Sequence, residues 1–231
     1  HVATYASSTV VHESCAIPID PAMRLDRAAL IGCSVMTGVG AVLNTAQVPA
    51  GGSVAVWGVG GVGLNVVQGG APVAPHPITA VDTVAPKLEH ATAMGASHAI
   101  DASKEDPVAA IRRVTGRGAD YTFVAVGATQ PVTQALDALA PGGVCVLIGV
   151  PETGATIPLD VRPVVTAERE IRGCSYGSAR TREDLPMLAR LYLAGRLRID
   201  QLINRRYGLE EANEAFRALA AGELARGLIV F

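Results

Sequence analysis

The sequence predicts an α/β fold built on a doubly wound, six-stranded parallel sheet. Three observations carry that expectation. Short apolar runs bounded by Gly, Pro or Asp alternate with helical patterns through the middle of the chain. There are six such runs. The first leads directly into the glycine pattern Gly58-Val-Gly60-Gly61-Val62-Gly63. Strands buried on both faces read as nearly continuous apolar stretches, and strand–helix alternation implies right-handed crossovers between parallel neighbours.

Taken in order, the expected strands are Val54–Trp57, Ile78–Val81, His98–Asp101, Tyr121–Val126, Val144–Ile148 and Glu170–Cys174. A helical pattern (Leu64, Val66, Val67) follows Gly63, and another covers Lys87–Met94. Asp106 is a natural N-cap, Pro107 suits the first turn and Gly116 suits the stop of the next helix. Thr129-Gln-Pro131 opens a further helix with Val132, Ala135, Leu136 and Leu139 on one face, and Pro141-Gly-Gly143 closes it. Pro72 falls where the first crossover helix should finish, and inside a helix it would cost about 3 kcal/mol. Either that helix stops near Gly70, or the stretch holding Pro72, Pro75 and Pro77 is locally unusual.

The flanks read differently. The first carries a strand around Thr9–Val11 and a short helix at Leu25–Ile31. The last carries helices at Arg182–Ala194 and Glu210–Ala221, then an apolar run Gly227–Phe231 with no local strand partner. Neither reads as an independent domain, so the expected division is 1–33, 34–175 and 176–231.

Composition narrows the function. The 231 residues are 49% hydrophobic and 17% charged, with 19 Lys+Arg against 21 Asp+Glu and a net charge of −2. That balance offers no footprint for nucleic acid or an anionic membrane surface, and no uninterrupted apolar run approaches the roughly 18 residues that span a bilayer. The four cysteines (Cys15, Cys33, Cys145, Cys174) are too far apart for a disulfide framework or a paired-cysteine zinc site, which suits a reducing cytoplasm. The chain opens on His1 without a signal-peptide pattern, as a piece of a longer protein would.

The glycine pattern is the most informative motif. Gly58 allows the tight turn after the first strand, Gly60 lets backbone approach a pyrophosphate, and Gly63 lets the helix pack close to the sheet. The phosphates would meet unpaired N–H groups and the positive end of the helix dipole. Asp82 ends the second expected strand 19 residues after Gly63, where a carboxylate accepts the ribose hydroxyls and repels a 2′-phosphate. These residues point to a Rossmann-type dinucleotide site that prefers NAD to NADP.

With those residues in place, the chain resembles the zinc-dependent alcohol dehydrogenases of the medium-chain dehydrogenase/reductase superfamily, nearest its class III-like branch. The resemblance rests on Leu30-Ile-Gly-Cys33-Ser-Val-Met-Thr37-Gly, Trp57-Gly-Val-Gly-Gly-Val-Gly-Leu, Ile148-Gly149-Val150-Pro151 and the terminal Gly222-Glu-Leu-Ala-Arg226-Gly-Leu-Ile-Val-Phe231. It implies that Cys33 is one ligand of a catalytic zinc, and that Thr37 and Val62 face the nicotinamide ring. It implies an adenosine contact from Lys87, a pyrophosphate contact from Arg226, and a ring and carboxamide cradle from Ile148, Gly149, Val150, Cys174 and Tyr176. Val126, at the end of the fourth strand, joins the cofactor set. Val124 and Ala128 depart from the family's usual residues on the adenine side, and Ser7 and Ser8 replace its Glu-Tyr pair.

The remaining zinc ligands of the family, a Cys and a His, have no counterpart in this sequence, and its five histidines fall outside any ligand spacing. The resemblance therefore implies the C-terminal part of a dehydrogenase, its flanks being partial segments of a GroES-like catalytic domain. The chain is expected to bind NAD and not to turn over by itself. In the intact protein, zinc would assist hydride transfer between NAD and an alcohol, or a hydroxymethyl-thiol adduct. A homodimer is implied through the segment Ala155–Leu159. Two rivals are a zinc-independent quinone or enoyl reductase of the same superfamily and a non-catalytic NAD-binding module.

Overall fold

The structure is a computed structural model that describes residues 5–70, 73–222 and 225–231. Contacts divide it into two units. One is Met36–Ala179, and the other combines the chain up to Val35 with Arg180–Phe231.

The Met36–Ala179 unit is built on a six-stranded parallel sheet. Its strands are β1 (Val54–Trp57), β2 (Ile78–Asp82), β3 (His98–Asp101), β4 (Ala119–Val124), β5 (Leu139–Leu147) and β6 (Glu170–Gly173), in the order β3-β2-β1-β4-β5-β6. All four residues of β1 are buried, as expected for a central strand with helices on both faces. Trp57, Val81, Ile100, Ile111, Val124, Leu139 and Cys145 share one core cluster. The order reverses between β1 and β4, so the connections leaving those strands go to opposite faces. A crevice opens at their carboxyl ends, the usual place for a ligand in such sheets.

The connecting helices are α3 (Gly63–Gly69), α4 (Ala85–Ala93), α5 (Pro107–Thr115), α6 (Thr129–Asp137) and α7 (Val161–Thr166). They are preceded by α2 (Met36–Gly40), which runs into a π-helical stretch at Ala41–Ala46. The caps of α5 follow the sequence: Asp106 accepts from the Val108 and Ala109 amides at 3.1 and 3.3 Å, and Gly116 closes it at φ 80°. Helix α3 ends at Gly69 with Gly70 as its cap, so the helix does stop before the proline-rich stretch. Pro72 itself lies outside the described residues.

Some boundaries differ from expectation. β5 begins at Leu139, where the sequence suggested the end of a helix and Pro141-Gly-Gly143 as its stop. Ala119 pairs with Leu139, then an irregularity passes the prolyl-glycyl turn before Tyr121 pairs with Val144. β4 likewise starts at Ala119 and ends at Val124, leaving Val126 in the following loop.

The second unit contains α1 (Leu25–Leu30), α8 (Thr181–Leu193), α9 (Ala212–Ala220) and a two-stranded parallel pair, β7 (Ile203–Tyr207) with β8 (Arg226–Ile229). The terminal run therefore does have a partner, which polar-rich Ile203-Asn-Arg-Arg-Tyr207 concealed. No strand forms at Thr9–Val11, where Val10 is 93% exposed and finds nothing to pack on. Helical residues Leu25–Ala46 are long and apolar enough by composition to cross a membrane, although no uninterrupted apolar run in the sequence has that length. However, 56% of the qualifying window is buried, as in a core helix.

Candidate cofactor site

Five of the six strands deliver expected site residues to one end of the sheet. β1 delivers the glycine loop, β2 delivers Asp82 and β4 delivers Val126. β5 delivers Ile148, Gly149 and Val150, and β6 delivers Cys174 and Tyr176. Because the strands are parallel, all of these lie at the carboxyl edge.

The loop after β1 is held by backbone. Gly58 (φ 81°) donates its amide to Val81 O at 2.9 Å, tying the turn to β2. A Cβ on Gly63 would stand 2.0 Å from Gly58 O, so the third glycine is required for α3 to start where it does. A Cβ on Gly60 would meet nothing within 4 Å, so that face of the loop is open to a ligand. Among the described residues the amides of Gly60, Gly61 and Val62 donate to no protein acceptor, as fits a cradle for phosphate oxygens. Half-buried Val62 is the last residue before α3. A Cβ on Gly38, the residue after half-buried Thr37, would stand 2.5 Å from Val62 O, so α2 packs directly against the loop and brings Thr37 beside it.

Asp82 is fixed from two sides. One carboxylate oxygen accepts the Val59 amide of the glycine loop at 3.0 Å, and the other accepts the Thr83 and Val84 amides at 2.8 and 3.1 Å. Beside it lies a cavity of about 180 Å³ lined by Trp57, Gly58, Asp82, Thr83, Val126, Gln130 and Gln134 together with Val81, Ala102 and Pro131. Its walls are apolar except for the carboxylate, hydroxyl and amide groups, which suits a flat heteroaromatic base with a sugar at its edge. A dinucleotide fits this arrangement: open backbone at Gly60, a fixed acceptor at Asp82 and a slot adjoining it.

Gln130 and Gln134 were missed from sequence. They line the slot because α6 packs over β1 and β4, and Gln134 Oε1 accepts from the Trp57 indole N–H at 3.2 Å. No local pattern marks them. Lys87 is half-buried near the start of α4 and is not among the residues lining the slot.

The far end of the crevice is shaped by glycine. Ile148 and Gly149 both donate to Val124 O at 2.9 Å, and a Cβ on Gly149 would stand 2.3 Å from the Val126 carbonyl. The loops after β4 and β5 thus meet backbone to backbone. Val150 is 88% exposed, next to that contact. Cys174 is buried and accepts from Thr45 Oγ1 at 3.3 Å, and Tyr176, Gly177 and Ser178 all have left-handed φ of 53°, 69° and 49°. Asn44 Nδ2 donates to Gly177 O at 3.2 Å, which holds this unusual loop to the end of the Ala41–Ala46 helix.

The other two expected residues lie in the second unit. Cys33 is an exposed free thiol within the π-helical turn Ile31–Val35, and Arg226 opens β8. Burial lowers the Arg226 guanidinium below its usual pKa, with the charge of Cys33 opposing it. Among the described residues no three His, Cys, Asp or Glu side chains gather as metal ligands. The described residues therefore do not by themselves make up a zinc site.

Comparison with known proteins is consistent with this geometry. Residues 61–193 match the family model described as zinc-binding dehydrogenase. The chain is 37% identical over 237 residues to the class-3 alcohol dehydrogenase of Cereibacter sphaeroides, covering 99% of this chain and 63% of that protein. Benzyl alcohol dehydrogenase from Acinetobacter calcoaceticus superposes with a TM-score of 0.93 at 30% identity, over 96% of this chain and 61% of that one. A zinc-binding dehydrogenase from Sinorhizobium meliloti, whose structure is bound to NADP, superposes with a TM-score of 0.81 at 25% identity, over 93% of this chain and 61% of that one. The chain thus spans about three fifths of the length of these proteins. On this fold, this crevice and the family match over more than half its length, the chain belongs to the zinc-binding dehydrogenase family.

Proposed function

We propose that the chain is the cofactor-binding part of an alcohol dehydrogenase that moves hydride between NAD and a small alcohol or aldehyde, hydroxymethyl-thiol adducts included. The observation that carries this is Asp82, a carboxylate held by three backbone N–H groups beside an open glycine loop and a base-sized slot.

Each part has a task. The free amides of Gly60, Gly61 and Val62 bind the pyrophosphate, and Asp82 takes the two adenosine ribose hydroxyls. Val126 and Thr83 flank the base. Thr37, Val62, Cys174 and Tyr176 border the place for the nicotinamide ring, and backbone at Ile148–Val150 orients its carboxamide. When bound, NAD supplies the hydride acceptor; the protein's contribution is orientation and electrostatics. Cys33 would give one thiolate to a zinc ion, and at least two further ligands would have to join it. Arg226 would reach the pyrophosphate as a cation.

The carboxylate also discriminates. A 2′-phosphate would place like charge against Asp82, so NAD is favoured over NADP. The NADP in the Sinorhizobium meliloti structure makes the opposite preference a concrete rival. Fluorescence titration with NADH and NADPH separates them: NADH should bind more tightly, and tighter NADPH binding overturns the assignment.

The sheet ends on β6, and Ala155–Leu159 forms no strand within the single chain. An unpaired edge favours association, and we propose that two copies pair along this segment. Sedimentation at the monomer mass would refute it.

A further inference from the structure

We infer that Asn65 and Gln68 are positioning residues that set the orientation of the phosphate-binding loop. This rests on the dinucleotide reading above and extends it to two side chains that no feature of the glycine pattern marks. Both are polar, both lie within α3, and both are buried, at 0% and 4% exposure. A buried amide in an apolar helix face costs free energy unless its donors and acceptors are used.

The way Asn65 is used is informative. In a regular helix its backbone N–H would donate to Gly61 O, four residues back. Here that N–H donates to Val62 O at 2.9 Å, and Leu64 N donates to Gly60 O, also at 2.9 Å. The side-chain amide takes over the vacated acceptor: Asn65 Nδ2 donates to Gly61 O at 2.7 Å. A carbonyl can only accept, so the group facing it must be the Asn65 NH2. Gln68 secures that orientation by donating from Nε2 to Asn65 Oδ1 at 2.6 Å.

The consequence falls on the other side of the peptide. In a planar trans peptide the C=O of one residue and the N–H of the next point in opposite directions. With Gly61 C=O turned onto the Asn65 amide, the Val62 N–H points away from that side chain, and it has no protein acceptor among the described residues. Asn65 thus aims a phosphate-binding donor without touching the ligand. A Cβ added to Gly38 would stand 2.5 Å from both Asn65 Cβ and Val62 O, so the preceding helix packs closely against the base of this side chain and the loop it holds.

The test compares Asn65→Ala and Gln68→Leu with the parent protein in binding NADH, ADP-ribose and adenosine. The first two ligands carry a pyrophosphate and the third has none. For Asn65→Ala, NADH and ADP-ribose should each bind roughly tenfold more weakly, as expected when a buried carbonyl loses its donor, with adenosine affinity unchanged. Gln68→Leu, which frees the Asn65 amide to rotate, should show the same selective pattern at roughly threefold. Unchanged NADH affinity in Asn65→Ala refutes the inference. So does an equal loss for adenosine, which would mean general loosening of the fold. Failure of the parent protein to bind NADH would instead overturn the cofactor assignment, and the inference with it.

Discussion

Replacing Asp82 with alanine tests the cofactor assignment at its centre. The substitution removes the acceptor for three backbone amides. Thr83 and Val84 are exposed, so water can satisfy their N–H groups after the change, whereas Val59 is fully buried and its amide is left unpaired. An orphaned buried donor costs about 1–3 kcal/mol. A loss near 2 kcal/mol in a chain of this size lowers the melting temperature by roughly 4–8 °C. The effect on ligands is separate. Each charge-assisted bond from a ribose hydroxyl is worth about 1.5–3 kcal/mol, so NADH should bind about tenfold more weakly or worse. Removing a like charge near the 2′-phosphate relieves between roughly 1 and 4 kcal/mol, according to how wet the site is, so NADPH should bind more tightly by about fivefold or more. The ratio of the two affinities should therefore move by a factor of about fifty or greater in favour of NADPH. Fluorescence titration of both nucleotides, alongside thermal unfolding, reads each term. Asp82→Asn removes the charge while keeping the size, and should shift the ratio in the same direction. An unchanged ratio in both variants, with the melting temperature lowered, would make Asp82 a purely structural cap and refute the reasoning.

Other outcomes follow from the same geometry. Gly63→Ala would drive a methyl group into Gly58 O, 2.0 Å away, so α3 must shift off the sheet; thermal unfolding should show a loss of about 3 kcal/mol or more, accompanied by loss of NADH binding. Acid should destabilise the protein between about pH 4 and pH 2. Asp101 is held down to about 2 from 3.8, first by its bond to Lys104 and then by Ser103. Asp26 is held at a similar value, first by Arg24, with burial opposing and Arg206 adding to the effect. A carboxylate whose folded pKa is depressed stabilises the fold fully above its unfolded value and loses that contribution as pH falls through the folded one. Asp101→Asn should flatten the stability–pH curve in that window alone, as followed by circular dichroism.

What the sequence revealed, it revealed through local chemistry. Val54–Trp57 could be read as a buried strand because all four residues are apolar, and Gly58 and Gly63 after it each answer a backbone demand, a left-handed φ at the first and a close approach at the second. Asp106, Pro107 and Gly116 marked the ends of α5 because caps act within one turn. The failures were matters of distance. Leu139 joins β5 only because Ala119 lies beside it, and β7 exists only because β8 pairs with it across the length of α9. Gln134 enters the slot through helix-on-sheet packing, and Asn65 looks from sequence like an ordinary interior helical position. Cys33 carried its meaning through resemblance: as a residue it is an exposed thiol, and the described residues bring no second and third ligand to it.

Trp57, described above as a wall of the slot, is also the chain's single tryptophan. It is 2% exposed, and its indole N–H is engaged by Gln134. Its light emission therefore arises from one rigid, dry place at the mouth of the crevice, with no second indole to dilute it. Reduced nicotinamide absorbs in the range where buried tryptophan emits, so a bound dinucleotide would draw energy from Trp57 and re-emit it at longer wavelength. The protein carries its own optical gauge of occupancy, and binding can be followed without attaching a label.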